Sequence, residues 1–211
     1  MKKIMYITLF LSALCTNLFA QSGKKLNANE KAAFEQKMTA HLKGIKTLQC
    51  SFVQEKTSLV VAGKSVSSGI MLYRSPNMLR WEYTKPTIST LIVNNGNTAL
   101  FNKDGKQIGN NAMVKQLGNI IIGLISGAGI QNNKQFTTEI FETDTQFRLV
   151  LTPVPKRLQE YCKSIEMIVD KRTLLSHTIV MNETSGDTMS IYMNTIVLNK
   201  EIAQSKFAIS E

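Results

Sequence analysis

The sequence predicts an α+β fold in which an antiparallel β-meander packs against two apolar helices. Most of the chain alternates apolar and polar residues with a period of two, and two segments carry apolar residues at helical spacing instead. The candidate strands follow one another at intervals of roughly 10–15 residues with short turns between them, which favours antiparallel hairpins over βαβ units. No internal repeat or low-complexity linker divides the chain, so we expect one domain over residues 21–211.

The amino-terminal residues have the features of an export signal. Two lysines precede an apolar run over residues 4–14, and the small residue Ala20 ends the segment. The run is too short to cross a bilayer as a helix, and the pattern is that of a cleaved secretory signal peptide over residues 1–20. The alternative is a lipoprotein signal in which Cys15 becomes acylated, although Leu14 stands where that processing site normally has a small residue.

Composition limits the partners and the chemistry that we expect. The chain has 25 Lys and Arg against 15 Asp and Glu, a formal net charge of +10, and such a balance can favour anionic partners. The basic residues are scattered, which also fits an ordinary solvated surface, and export argues against nucleic acid. The sequence has no Cys or His cluster with metal-ligand spacing, no G-x-S-x-G and no phosphate-binding glycine motif. We therefore expect no catalytic residue, no metal, no cofactor and no enzymatic activity.

The first helix is predicted to begin after Asn27. Asn27 and Glu30 have the spacing of a capping box, and apolar residues at helical spacing follow from Phe34 onwards. Gly44 and the β-rich sequence beyond it indicate where the helix ends. Residues 21–26 are polar, and we expect them to be frayed.

A series of strands is predicted beyond this helix from alternation and β-rich composition. In chain order the strands are residues 47–53, 69–73, 78–83, 90–93, 98–101, 136–141, 147–152, 165–169, 175–180 and 188–197. Turn sequences lie between several of them, at residues 74–77, 95–96, 104–105 and 183–187. A closing segment contains Phe207.

The strand over residues 78–83 shows the alternation most clearly. Leu79, Trp81 and Tyr83 share one face, and Arg80 and Glu82 take the opposite, solvent-facing side. We expect Glu82 to pair with a neighbouring basic residue at the surface.

Helical spacing returns over residues 112–128. Met113, Leu117, Ile120, Ile121 and Leu124 lie on one side, and Ile122 and Ile125 extend the apolar surface. Glycines at positions 118 and 123 interrupt the segment, and each costs a helix about 1 kcal/mol relative to alanine. This pattern fits either an ordinary helix buried against the sheet or an apolar cover that moves.

Two cysteines, Cys50 and Cys162, lie beyond the predicted signal peptide. Cys50 alternates in phase with Leu48 and Phe52, which we place on the inward face. Cys162 is out of phase with Ile165 and the inward positions that follow, so we expect it to face outward. Opposite faces place the two Cβ atoms poorly for a disulfide, and we predict that both thiols are free although an exported protein can form disulfides.

The run from Tyr73 to Pro86, YRSPNMLRWEYTKP, resembles the outer-membrane lipoprotein carrier family, LolA. The family typically has a basic residue before a proline, then an aromatic-rich strand similar to RWEY, then a second proline. Weaker matches to the family pattern surround this run, in the expected order: Phe52 with Gln54, Gly69, Asn95-Gly96-Asn97-Thr98, Leu151-Thr152-Pro153 with Lys156, and residues 165–170. Together the matches cover residues 30–207.

The resemblance implies an incomplete antiparallel β-barrel, or half-barrel, with helices lidding a hydrophobic cavity. The residues alone do not distinguish such a cavity from a closed core. Family members collect triacylated lipoproteins from an inner-membrane transporter, carry them across the periplasm and deliver them to an outer-membrane acceptor. The resemblance therefore implies a periplasmic, monomeric protein whose partners are acylated lipoproteins, an ABC-type lipoprotein exporter of the inner membrane and an outer-membrane acceptor.

The resemblance also implies candidate site residues. We predict that the acyl cavity is lined by Phe52, Met71, Tyr73, Leu79, Trp81, Tyr83, Leu117, Ile121 and Leu124. In the family, the residue directly before the first proline is usually basic and is thought to tether the lid. Here Ser75 occupies that position and Arg74 comes one residue earlier, so Arg74 is the candidate lid latch.

Two other functions are compatible with the sequence. A lipid-sensing, lipoprotein-sensing or glycolipid-carrying envelope protein would have the same sheet and lid. A structural or adhesive envelope protein would have a closed core instead of a cavity. Lipid that co-purifies with the protein would separate the binding functions from the structural one.

Overall fold

The computed structural model describes residues 23–60, 63–109, 112–126 and 134–209, so the predicted signal peptide lies outside the described residues. Twelve strands of this part form one sheet: β1 (Lys24–Lys25), β2 (Thr47–Thr57), β3 (Lys64–Arg74), β4 (Met78–Lys85), β5 (Ser89–Asn94), β6 (Asn97–Asn102), β7 (Gln107–Gly109), β8 (Phe136–Glu142), β9 (Gln146–Pro153), β10 (Cys162–Asp170), β11 (Ser176–Glu183) and β12 (Thr188–Leu198). The helices are α1 (Ala28–Lys43), α2 (Ala112–Ser126) and α3 (Lys156–Gln159), and a 3₁₀ turn covers Gln204–Phe207. No helix among the described residues is long and apolar enough to cross a membrane.

The sheet is open and entirely antiparallel in its described pairings. Its strand order is β1-β8-β9-β10-β11-β12-β2-β3-β4-β5-β6-β7, which places the short strands β1 and β7 at the two edges. Side chains of α2 meet one cavity together with side chains of both halves of the sheet. The sheet must therefore curve around α2, and this arrangement confirms the predicted α+β half-barrel.

The first helix begins where the sequence predicts it. Asn27 Oδ1 accepts hydrogen bonds from the backbone N–H groups of Asn29 and Glu30, both at 3.0 Å, and Glu30 Oε2 accepts one from the Asn27 N–H at 2.9 Å. This reciprocal capping box satisfies amide groups that have no partner inside the helix. Phe34 and Met38 on the apolar side of α1 are buried in the core.

The prediction that residues before this helix are frayed is wrong for the described ones. Lys24 and Lys25 form β1 and pair with Glu142 and Phe141 of β8. Leu26 continues this connection, because its N–H donates to the carbonyl of Ile140 at 2.9 Å. Polar side chains do not prevent this pairing, since a free edge of β8 offers unpaired backbone groups.

The hairpin between β5 and β6 also forms at the predicted position. Asn95 and Gly96 form a two-residue turn with φ of 48° and 89°, between the paired residues Asn94 and Asn97. Positive φ at both central positions is the requirement of a type I′ turn, which Asn-Gly meets at little cost. The other predicted strands are confirmed with ends shifted by a few residues. Strands β1 and β7 and the short α3 are additions that the alternation did not reveal.

The prediction that Cys162 faces outward is wrong. Cys162 is buried in the core cluster that also contains Ile165 and Cys50. The pairing of β10 with β11 shifts by one residue between Cys162 and Ser164, and this bulge turns Cys162 towards the core. Both thiols are nevertheless free.

The carboxyl-terminal segment over residues 199–209 covers the outer face of the sheet. Its backbone carbonyls accept hydrogen bonds from three side chains of β3–β5: Arg74 Nη1 to Ile202 O at 3.4 Å, Arg80 Nη1 to Lys206 O at 3.4 Å and Asn94 Nδ2 to Phe207 O at 3.0 Å. Phe207 is fully buried. The predicted surface pairing of Glu82 is confirmed on this face, where its Oε2 lies 2.7 Å from Arg80 Nη2.

Candidate functional site

An apolar cavity of about 330 Å³ lies between the inner face of the sheet and α2. From α2 it is lined by Val114, Ile120, Ile121, Leu124 and Ile125. From the sheet it is lined by Gln54, Met71, Trp81, Tyr83, Ser89, Leu91, Leu100, Ile165, Ile179, Met181, Met189, Ile191 and Met193. Apart from the indole nitrogen of Trp81, the polar side-chain groups in this lining are those of Gln54, Tyr83 and Ser89.

Strand alternation explains why these side chains converge. On β12, Met189, Ile191 and Met193 are spaced by two and all line the cavity. Trp81 and Tyr83 have the same relation on β4. Successive residues of a strand point to opposite faces of a sheet, so each such series presents one side to the interior. The curved sheet then surrounds the apolar space on one side and α2 closes it on the other.

Three aromatic rings pack together at one wall of the cavity, where Trp81 and Tyr83 line the space and Phe52 lies in the core beside them. The Phe52 ring lies 4.4 Å from the Trp81 ring and 5.3 Å from the Tyr83 ring, edge-on to the latter. The Phe52 ring lies over Gly69, where an added Cβ would come within 2.6 Å of it and within 1.9 Å of the Glu82 carbonyl oxygen. Glycine at this position therefore allows the close packing that holds the three rings together.

The apolar space continues towards α1. A second void of about 30 Å³ is lined by Met38 and Leu42 of α1, and it shares Met71 and Met193 with the main cavity. Methionine is unbranched and flexible, so a wall rich in methionine can adapt to ligands of different shape.

One end of the main cavity is polar. The Tyr83 hydroxyl donates a hydrogen bond to Gln54 Oε1 at 2.7 Å. Burial raises the pKa of Tyr83, and its hydrogen bonds only partly oppose this effect. The phenol is therefore protonated at neutral pH and is available as a donor.

The predicted site residues fall into two groups. Met71, Trp81, Tyr83, Ile121 and Leu124 line the cavity. Phe52, Tyr73 and Leu79 are buried in the core around it, and Leu79 has no exposed surface. Leu117 lies on α2, but its side chain is outside the described residues. Direct contact between an acyl chain and any of these nine residues stays a prediction.

Sequence reasoning missed the whole wall contributed by β10–β12. Ile165, Ile179, Met189, Ile191 and Met193 were predicted as strand residues but not as cavity residues, and Met181 lies one residue beyond the predicted strand over residues 175–180. Their alternation was visible, but the sequence does not reveal that these strands curve to face β4 and α2. The lining residue Gln54 was noted only as part of a motif.

The candidate latch Arg74 makes its described hydrogen bond on the outer face. Its Nη1 donates to the Ile202 carbonyl, so this guanidinium contacts the carboxyl-terminal segment. A role of Arg74 in holding α2 stays a prediction.

The close packing of α2 on the sheet depends on another glycine, Gly118. A Cβ added at Gly118 would lie 2.6 Å from Val93 Cγ2 and 3.4 Å from Thr98 Cγ2. The Thr98 hydroxyl beneath α2 is buried without a hydrogen-bond partner in the part of the chain that is described. The backbone of α2 therefore lies directly against β5 and β6 at this point.

Comparison with known proteins places this fold and cavity in a family. The family model of the outer membrane lipoprotein carrier protein LolA matches residues 43–210, which is most of the chain. The chain belongs to the LolA family. A relative described as an outer-membrane lipoprotein carrier protein, from Xanthomonas oryzae pv. oryzae (strain MAFF 311018), is 27% identical over 150 residues, which cover 71% of this chain and 68% of the relative. The LolA family resemblance predicted from residues 73–86 is thus confirmed.

Solved structures show the same fold at low identity. A Vibrio parahaemolyticus domain assigned as an outer membrane lipoprotein-sorting protein has a TM-score of 0.51 at 10% identity and covers 86% of this chain and 97% of its own. A chain of the Pseudomonas aeruginosa MucA/MucB complex has a TM-score of 0.50 at 12% identity and covers 85% of this chain and 61% of its own. The chain therefore has the fold of the LolA family, and in this structure the fold contains an apolar cavity.

Proposed function

We propose that this protein is a periplasmic carrier that holds the acyl chains of lipoproteins in the cavity beneath α2 and moves them from the inner to the outer membrane. The observation that carries the proposal is the covered apolar cavity of about 330 Å³. A cavity with so few polar groups suits hydrocarbon and has no arrangement that would favour a charged substrate. We further propose an inner-membrane ABC-type exporter as donor and an outer-membrane protein as acceptor. LolA family membership and the description of the Xanthomonas relative, outer-membrane lipoprotein carrier protein, support the carrier role.

The energetics require a cover that competes with the cargo. Burial stabilises an acyl chain by about 0.8 kcal/mol per CH₂, so one 16-carbon chain gains on the order of 12 kcal/mol when it leaves water. A carrier that offered this full gain would not release its cargo. When cargo enters, α2 must give up the burial of residues such as Ile121 and Leu124, and this loss lowers the net affinity.

The size of the cavity gives α2 a further role. A volume of about 330 Å³ is at the lower end of the roughly 300–1,000 Å³ typical of pockets for one small ligand. A triacylated lipoprotein needs more space than this, so α2 has to move away from β5 and β6 to admit it.

A pair of substitutions on β12 tests the proposal. Ile191 lines the cavity, whereas the next residue, Tyr192, is exposed on the opposite face. Ile191→Glu places a carboxylate among hydrocarbon, where an unpaired charge is strongly disfavoured. We expect this variant to lose at least ~10-fold in affinity for a fluorescent fatty acid and to lose lipoprotein transfer from inner-membrane vesicles.

Tyr192→Glu is the matched control, because it adds the same charge one residue away on the outer face. It should bind and transfer as the unmodified protein does. Equal binding by both variants, with circular dichroism showing that both are folded, would contradict the cavity as the binding site. Binding without transfer in the unmodified protein would instead favour a sensor of the same fold.

A further inference from the structure

The polar end of the cavity is built by two strands that are not adjacent. Gln54 lies on β2 and Tyr83 on β4, and they meet across β3 because Gly69, paired with Tyr83, has no side chain between them. Ser89, paired with Tyr83 on β5, lines the same end of the cavity. Gln54 lies three residues before the end of β2, and Tyr83 lies two residues before the end of β4, so this end of the cavity is nearest the rim where β2 and β4 end.

The Gln54–Tyr83 pair has more hydrogen-bond donors than its one hydrogen bond uses. The Tyr83 hydroxyl donates to Gln54 Oε1, and the amide nitrogen of Gln54 still carries two hydrogens. If the amide is rotated by 180°, its nitrogen donates to Tyr83 and the phenol hydrogen becomes free. No described residue accepts a hydrogen bond from the Gln54 amide nitrogen. Either amide orientation therefore presents at least one N–H or O–H group to the cavity.

This hydrogen-bond donor without an acceptor lies beside apolar side chains, and its position determines which chemical group of a ligand can bind there. A polar group that is removed from water without a partner is destabilising. The matching group is a carbonyl oxygen, which accepts hydrogen bonds and carries no net charge. Every ester-linked or amide-linked acyl chain has such an oxygen at its first carbon, directly beside its hydrocarbon tail.

We infer that Gln54 and Tyr83 form a subsite for the acyl carbonyl oxygen of the cargo, so that the cavity recognises ester- or amide-linked chains rather than any hydrocarbon. This inference rests on the proposed function. The subsite fixes the direction of the bound chain: its carbonyl lies at Gln54, and its tail runs past Met71 and Met193 towards α1. The head of the cargo then leaves the cavity at the rim of the half-barrel where β2 and β4 end.

A matched pair of lipids tests the subsite. The probes are 1,2-dioctanoylglycerol and 1,2-di-O-octylglycerol, whose chains are joined to glycerol by ester and by ether bonds, respectively. Trp81 is the one tryptophan of the chain and lines the cavity, so its fluorescence reports binding. The ether lipid lacks the carbonyl oxygen, and one hydrogen bond to that oxygen corresponds to roughly 3- to 10-fold tighter binding of the ester by the unmodified protein.

Three variants test whether the preference for the ester lipid depends on Gln54 and Tyr83. Gln54→Met and Tyr83→Phe keep the size of the side chains but remove donors, and we expect each to reduce the ester preference and the double variant to abolish it. Gln49→Met is the matched control on the outer face of β2 and should keep the preference. Near-ultraviolet circular dichroism establishes that each variant is folded.

The outcomes separate this inference from the proposed function. Failure of the unmodified protein to bind either lipid would contradict both. Equal affinity of the unmodified protein for the two lipids would overturn the subsite alone, and so would an ester preference that survives in the folded double variant. In those two cases the cavity would remain an acyl site without recognition of the carbonyl.

Discussion

The two cysteine side chains lie in surroundings that suppress their chemistry. Burial raises the pKa of the Cys50 thiol to about 12. Burial, with a smaller contribution from the negative charge of Glu183, raises the pKa of the Cys162 thiol to about 11. The thiolate is the reactive form of cysteine, so both side chains should behave as small apolar core residues.

We predict that neither Cys50 nor Cys162 reacts with iodoacetamide at pH 8 in the native protein, and that both react in urea. Because the unfolded thiols ionise near pH 8.5 and the folded ones ionise at higher pH, the unfolded state loses protons first as the pH rises. The stability due to the protonated thiols is therefore complete below about pH 8.5 and falls above it. Peptide mass spectrometry identifies the labelled residue, and rapid native labelling would contradict the burial described here.

For a single residue, the alternation of apolar and polar positions predicts which face of the sheet its side chain occupies. It does not predict how deeply that side chain is buried. Trp81 and Leu79 have the same phase on β4, yet Trp81 lines the cavity and Leu79 is enclosed behind it. Cys162 shows the other limit, because a one-residue bulge reverses the face and no local signal marks it. Both differences depend on neighbouring strands that are distant in sequence.

Among the helices and strands, α2 shows how a glycine lets a helix pack closely on the sheet. Its close approach to β5 and β6 at Gly118 leaves no room for a side chain there. The same glycine weakens the helix by about 1 kcal/mol relative to alanine. Helix propensity therefore favours alanine at position 118, whereas close packing of α2 on the sheet requires glycine there.

We predict that Gly118→Ala shifts α2 away from the sheet. The added Cβ would meet Val93 Cγ2 at 2.6 Å, and relief of this overlap requires α2 to rise although its helix propensity improves. Dioctanoylglycerol should then bind several-fold faster in stopped-flow measurements of Trp81 fluorescence.

The second substitution Val93→Ala supplies a control, because it removes the methyl groups that the new Cβ would meet. In the double variant the binding rate should return towards that of the Val93→Ala protein, and the difference measures the coupling between the two positions. An unchanged rate in Gly118→Ala would show that α2 accommodates the methyl group without moving.

The elements that the sequence predicted well are those fixed by local interactions. The capping box of Asn27 and Glu30 and the turn at Asn95-Gly96 each depend on a few consecutive residues. Strands β1 and β7 have only two and three residues and form because a longer neighbour offers a free edge. Such pairing depends on the tertiary fold, so the sequence could not indicate it.

In the whole molecule, the two faces of the sheet have separate tasks. The inner face forms the main cavity with α2 and, together with α1, the smaller void beside it. The outer face of β4 and β5 is covered by the segment that contains Phe207. Phe207 is fully buried although it lies outside the main core cluster. Stability and binding should therefore be separable by face.

We predict that Phe207→Ala lowers the free energy of unfolding by about 3–5 kcal/mol, the range for truncating a buried phenylalanine, without a change in acyl affinity. Urea denaturation measures the first quantity, and Trp81 fluorescence titration with dioctanoylglycerol, well below the melting temperature, measures the second. Lost affinity in the folded variant would mean that the outer face also controls the cavity.

An open barrel has a hazard that a closed one lacks, since its exposed backbone edges can pair with another chain. Here the edge of β8 is occupied by the two residues of β1, and Lys31 Nζ donates to the Thr138 carbonyl at 2.6 Å. Lys25 pairs with Glu139 on the same edge. Charged lysine side chains along this strand disfavour the stacking of second copies into fibres. The β8 edge is therefore protected against such pairing although the sheet does not close into a barrel.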